Sequence, residues 1–151
     1  RLFGRQMVDA GKRGHIVNVS SGLAFFPTRT TPAYATSKAA VQMLSECLRA
    51  DLAGKGIGVS AVYPGVVNTG IVNRTRFVGT DGAEELRQQT KTQRLYQLRN
   101  LKPEAVAKAI LEAVEKNKAE VLVGAEVHGI RLMSRYLPGL TRRLARLDLS
   151  R

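Results

Sequence analysis

Ser21, Tyr34 and Lys38 are the residues of this chain whose types and spacing best support chemistry. Tyr34 and Lys38 stand in Tyr34-Ala35-Thr36-Ser37-Lys38, which opens a long helical pattern. At i and i+4 the phenol and the ammonium share one face, one turn apart. A phenol with a pKa of ~10 is a poor acid at neutral pH, and an ammonium beside it favours the phenolate. Ser21 closes His15-Ile16-Val17-Asn18-Val19-Ser20-Ser21, an alternating β-branched stretch that breaks into Ser-Ser-Gly. That pattern predicts a buried strand ending in a loop. A hydroxyl at the strand end can hold a carbonyl or alcohol oxygen next to the phenol. Such a set moves a proton to or from an oxygen while a hydride moves elsewhere.

The elements that must position these groups can be read along the chain. Arg1 to Lys12, with Leu2, Phe3, Met7 and Val8 as its apolar stripe, reads as the end of a helix closed by Gly11 and Gly14. The loop from Gly22 to Pro32 carries Phe25, Phe26 and Pro27, which either line a pocket or pack beneath the loop. A helix follows from Ala33 to Ala53, closed by Gly54 and Gly56. Val41, Leu44, Leu48 and Leu52 form one stripe on it, and Ala40, Met43 and Cys47 another. A helix apolar on two sides requires two partners, so the sheet takes one side and another subunit is expected on the other. Cys47, among Met43, Leu44 and Leu48, is expected to be a small packing residue.

Ile57 to Tyr63 is apolar nearly throughout, as a parallel strand covered on both faces should be, and Pro64-Gly65 ends it. Ile71 to Asn100 is polar, with a helical stretch from Glu84 to Leu98. Lys102-Pro103-Glu104 starts a helix whose stripe is Val106, Ile110, Leu111 and Val114. Glu120 to Gly124 is a short strand, the last of the sheet. From His128 to Leu149 apolar residues alternate with arginines, and Pro138-Gly139 divides the run into two basic amphipathic helices. These are suited to a membrane surface, a partner, or the protein's own pocket.

Composition narrows the field. Hydrophobic residues make up 44% of the 151, as in an ordinary globular domain. One cysteine excludes an intramolecular disulfide and suits a reducing compartment, so the cytoplasm is the default location. The net charge of +12 is high, yet no nucleic-acid reading element accompanies it and the aromatic content is only 5%. Nucleic acid is therefore not expected as a partner. His15 and His128 have no metal-ligand spacing, and no metal site is expected.

The stretch from His15 to Thr69 closely resembles the short-chain dehydrogenase/reductase family. In that family the serine stands thirteen positions before the tyrosine, and 34 − 21 gives that spacing, so Ser21 rather than Ser20 is the match. Tyr-x-x-x-Lys alone is weak evidence; the Asn-Val-Ser-Ser strand end before it and Tyr63-Pro64-Gly65-Val66-Val67-Asn68-Thr69 after it make the resemblance strong. It implies an α/β fold, a Rossmann-like doubly wound parallel sheet, with hydride transfer between NAD or NADP and a carbonyl or secondary alcohol. It also implies Tyr34 as general acid/base, Lys38 on the nicotinamide ribose and Ser21 on the reacting oxygen. Pro64 and Gly65 would form the turn at which the Val67 backbone and the Thr69 hydroxyl hold the carboxamide. Residues 71–100 fall where the family has its substrate lid, and residues 126–151 are the basic C-terminal helices. The family commonly pairs subunits through the helix that here spans residues 33–53.

The Gly-rich turn that takes a pyrophosphate in such sheets does not precede Ser21. Residues 1–151 are accordingly expected to be the C-terminal part of one dinucleotide-binding domain, roughly the last three strands of seven. On that reading the fragment alone binds no dinucleotide. Two rival functions stand beside the dehydrogenase: a sugar-nucleotide epimerase or dehydratase, which uses a similar Tyr-x-x-x-Lys, and a non-catalytic basic module for membranes or partners.

Overall fold

The computed structural model describes residues 2–69, 90 and 101–146. Helix α1 (Leu2–Asp9) leads to strand β1 (Gly14–Val19), a short 3-10 helix (Gly22–Phe25) and the long helix α2 (Pro32–Asp51). Strand β2 (Ile57–Pro64) returns to the sheet. Beyond it come α3 (Pro103–Glu115), β3 (Glu120–Val123), α4 (Ala125–Tyr136) and α5 (Pro138–Leu144). The sheet among the described residues is parallel, in the order β1-β2-β3. Gly14 pairs with Ile57 at one end and Val19 with Val62 at the other, and β3 joins from Ala61 to Pro64. This is the α/β, Rossmann-like architecture expected from alternating strands and helices.

β2 is buried nearly throughout because helices cover both of its faces. Ile57 and Val59 pack with Leu52, Met7, Ile16 and Leu48, which ties α1 and α2 to the strand starts. Ala61 and Tyr63, on the same side, meet Phe25 and Val127. Val62 points to the opposite face, into a cluster with Ala113, Val121 and Val123 under α3. The period of two along one strand thus feeds three clusters.

The helix starts follow local chemistry. Proline stands in the first turn of α2, α3 and α5, where its missing N–H costs nothing. Gly124, with φ of 111°, occupies a backbone conformation that favours glycine and turns the chain from β3 into α4.

Four expectations require correction or refinement. Cys47 is exposed and is not a packing residue. Ala35 and Ser45 mark the buried arc of α2, and Cys47 lies two positions beyond Ser45, about 200° around the helix. The first apolar stripe also splits, since Leu48 and Leu52 pack on the sheet while Leu44 is 54% exposed; Met43, of the second stripe, is 64% exposed. Phe25 belongs to the core, its ring 4.6 Å from that of Tyr63. The break between the basic helices falls at Leu137, with Pro138 opening α5.

Candidate functional site

The carboxyl ends of the three parallel strands bring together the 3-10 helix, the start of α2 and the turn after β2. This is where open α/β sheets hold their ligands. Ser20 and Ser21, adjacent in sequence, have different tasks there. Ser20 is buried; its N–H donates to the Val62 carbonyl at 2.8 Å and its hydroxyl to the Lys38 carbonyl at 2.7 Å. Ser21 caps the 3-10 helix, its Oγ accepting from the Leu23 N–H at 3.2 Å. A hydroxyl that accepts one bond in this way still has its own O–H to donate.

Tyr34 stands in the first turn of α2 and is 46% exposed. Lys38 lies one turn later with its Nζ 5.6 Å from the centre of the Tyr34 ring, so the i, i+4 spacing does bring ammonium and phenol together. The same ammonium donates to the Val19 carbonyl at 3.2 Å, which leaves two of its three donors for other groups. α2 seats closely on β1 through Ser45, which accepts from Asn18 Nδ2 at 3.0 Å and donates back to Val41 O at 2.7 Å. This back-bonding lets a serine sit buried in mid-helix.

The turn after β2 is held on three sides. The Gly65 N–H donates to Val123 O at 2.8 Å, the Val66 N–H to Glu126 Oε1 at 3.1 Å, and the Asn68 N–H to Leu101 O at 2.8 Å. Val67 forms an isolated parallel bridge with Leu101. Thr69 is exposed at the end of this segment. Beneath the turn, Tyr63 is fully buried and its hydroxyl has no hydrogen-bond partner among the described residues. Desolvation pushes its pKa up to about 12, with smaller contributions from the carboxylates of Glu120 and Glu46. Arg131 is held by Glu120, at 2.9 Å from its Oε2, and stacks 4.7 Å from the Phe25 ring centre, which braces α4 against this layer.

A nicotinamide fits the donors and acceptors at this end. Ser21, Lys38 and Val67 all lie at the carboxyl ends of the strands or in the segments that follow them, with O–H and N–H donors of the kind a nicotinamide ribose and carboxamide accept. Among the described residues no group of three or more histidine, cysteine or acidic side chains is placed to hold a metal ion. Residues 71–100, apart from Thr90, lie outside the described residues, so the expected lid and its basic residues Arg74, Arg76, Arg87, Lys91, Arg94 and Arg99 do as well.

Sequence reasoning overlooked Ser20, Asn18 and Glu126 as site-building residues. Ser20 was visible only as the neighbour of the matching serine. Glu126 follows β3 by a few residues, and nothing in its spacing points to Val66, sixty positions earlier.

The model of the short chain dehydrogenase family matches residues 1–79, more than half of the chain. The chain belongs to the short-chain dehydrogenase family. Its relatives include the probable oxidoreductase EphD of Mycobacterium tuberculosis, 42% identical over 149 residues, which cover 97% of this chain and 25% of that protein. Among solved structures, a short-chain dehydrogenase/reductase from Burkholderia phymatum in complex with NAD is 28% identical. It superposes with a TM-score of 0.74, over 97% of this chain and 54% of that one. A short-chain dehydrogenase from Burkholderia cenocepacia in complex with NADP shares the fold at 22% identity and a TM-score of 0.71, over 97% of this chain and 52% of its own. This short-chain dehydrogenase chain thus spans about half the length of those structures and a quarter of the mycobacterial relative. No helix among the described residues is long and apolar enough to cross a membrane.

Proposed function

We propose that the protein is an oxidoreductase that uses NAD or NADP to interconvert a carbonyl and a secondary alcohol. The observation that carries this reading is the Lys38 ammonium set over the Tyr34 ring, at the strand end that also presents Ser21. Tyr34 is the general acid/base: its hydroxyl gives a proton to the carbonyl oxygen in reduction and takes one from the alcohol in oxidation. Ser21 donates its O–H to the same oxygen and holds it beside the phenol. Lys38, its Nζ 5.6 Å from the Tyr34 ring centre, turns its remaining donors to the ribose hydroxyls of the nicotinamide half. The Val67 backbone and Thr69 hold the carboxamide, at the turn formed by Pro64 and Gly65. When bound, NAD(P) supplies or accepts the hydride; the protein contributes position and proton.

Residues 71–100 are the proposed substrate lid, and residues 1–151 the C-terminal part of one dinucleotide-binding domain. The outward face of α2, with Met43, Leu44 and Cys47 exposed, is the proposed surface for a second subunit. The test is NAD(P)H oxidation by the whole protein with a panel of ketones and aldehydes. Activity with at least one of them, abolished in Tyr34→Phe, supports the reading; a Tyr34→Phe protein with full activity overturns it.

A further inference from the structure

We propose that Glu126 is a positioning residue for the nicotinamide end of the cofactor, acting through the backbone of the turn after β2. The proposal rests on the dinucleotide reading above and adds to it a residue from the far side of β3. Of the three bonds that hold the turn, those of Gly65 and Asn68 run to main-chain carbonyls, so no side-chain change deletes them. Among the described residues only the Val66 N–H relies on a side chain, the Glu126 carboxylate at 3.1 Å. Such a bond to an ionised acceptor is among the stronger kinds.

Two glycines make room for this carboxylate. A Cβ on Gly65 would collide with Glu126 Oε1 and fall 2.8 Å from its Cδ. A Cβ on Gly124 would meet both oxygens at 3.0–3.1 Å. Glu126 itself stands in the first turn of α4, where the exposed N–H groups of a helix favour negative charge. The close approach is therefore built from three positions: Gly65 in the turn after β2, Gly124 at the N-cap of α4 and Glu126 in the first turn of that helix.

The consequence reaches Val67 through peptide planarity. The Glu126 bond fixes the plane of the Gly65–Val66 peptide, and the Leu101 bond fixes that of Val67–Asn68. In a trans peptide the carbonyl opposes the N–H, so the Val67 carbonyl points away from Leu101. Between these planes lies the Val66–Val67 peptide, which carries the Val67 N–H. The Val67 carbonyl is thus aimed through Leu101, and the peptide carrying the Val67 N–H is flanked by the plane that Glu126 fixes and the plane that Leu101 fixes.

The whole protein should be titrated with NADH or NADPH, whichever it binds, and with ADP-ribose or its 2′-phosphate, which lack the nicotinamide. For Glu126→Ala the dinucleotide Kd should rise about tenfold while the ADP-ribose Kd stays the same. Glu126→Gln, whose amide oxygen still accepts from Val66, should remain within about twofold of the parent. Glu126→Asp, too short to reach, should behave as Ala does and serves if the Ala protein does not fold. Equal weakening of both ligands, or no weakening of either in Ala and Asp, overturns the proposal. Failure of the parent protein to bind any of these ligands overturns the dinucleotide reading and this inference with it, a result distinct from a parent that binds and variants that do not differ.

Discussion

At the amino ends of the strands, Arg49 donates to Val59 O at 2.6 Å, to Asn117 Oδ1 at 3.1 Å and to Asn117 O at 2.9 Å. Beside it the Ser60 hydroxyl donates to Lys118 O at 2.5 Å, and since it has only that one hydrogen it accepts from His15 Nε2–H at 2.7 Å. At the carboxyl ends, Tyr34 and Thr69 are exposed, the Ser21 O–H is available, and Lys38 has donors to spare. Among the described residues, one end of the sheet satisfies these polar groups internally and the other leaves them exposed, where the proposed function puts a ligand. The two ends share the same strands, so the contrast is one of side chains and turns rather than of fold. On the proposed function, the amino end sets stability and the carboxyl end sets chemistry.

The sharpest way to break this division is to remove the phenol. Tyr34→Phe should lower kcat by 10²–10⁴-fold, the range of a lost general acid/base, and leave the melting temperature where it was. A fall in melting temperature that accounts for the lost activity would place Tyr34 on the structural side instead. Arg49→Ala is the reciprocal change. It should lower unfolding stability by about 2 kcal/mol in urea titration, because three bonds are lost together, one of them to the carbonyl of buried Val59. Cofactor affinity should be unchanged.

Two pH experiments sharpen the comparison further. Burial, helped by the nearby Arg49 charge, holds the His15 pKa below its ordinary 6.5. The unfolded chain therefore takes up this proton first, so this contribution to stability is lost as pH falls below about 6.5. His15→Gln should flatten that acid limb in unfolding curves measured from pH 7 to 5. The smallest effect belongs to Tyr63→Phe, which deletes a buried hydroxyl without a partner among the described residues. It should shift stability by no more than about 1 kcal/mol. Because the folded Tyr63 pKa is raised to about 12, the unfolded chain ionises first near 10, and the parent loses stability as pH rises through that window. The phenylalanine protein should lack this alkaline slope.

The strand ends and the Tyr34–Lys38 pair were legible in the sequence because both rest on short-range periodicity, two for strands and 3.6 for helices. Pro64-Gly65 was legible as a terminator for a similar reason. The network around His15 was not, since it joins residues 45 and 58 positions apart that carry no pattern of their own. Nor was the side of α2 that faces the sheet. Its apolar residues run around more than one side, and the buried arc is fixed by Ser45 meeting Asn18, a polar contact that hydrophobic counting ignores. Cys47 was misjudged for that reason. Phe25 was left between pocket and core, and its partner Tyr63, 38 positions away, decides for core.

Two bonds described above run in opposite directions between the same pair of segments: Ser20 Oγ to the Lys38 carbonyl, and Lys38 Nζ to the Val19 carbonyl. A helix lying on a sheet has two soft motions, sliding along its axis and rolling about it. A one-residue slip of α2 would carry Tyr34 by about 1.5 Å and swing it by about 100°. A single tether resists one of those motions, whereas a crossed pair resists both. Displacements near 1 Å are enough to cost about a hundredfold in rate, so under the proposed function the mechanical tolerance of the reaction is set at Ser20 and Lys38, the latter one turn from the proposed acid/base Tyr34.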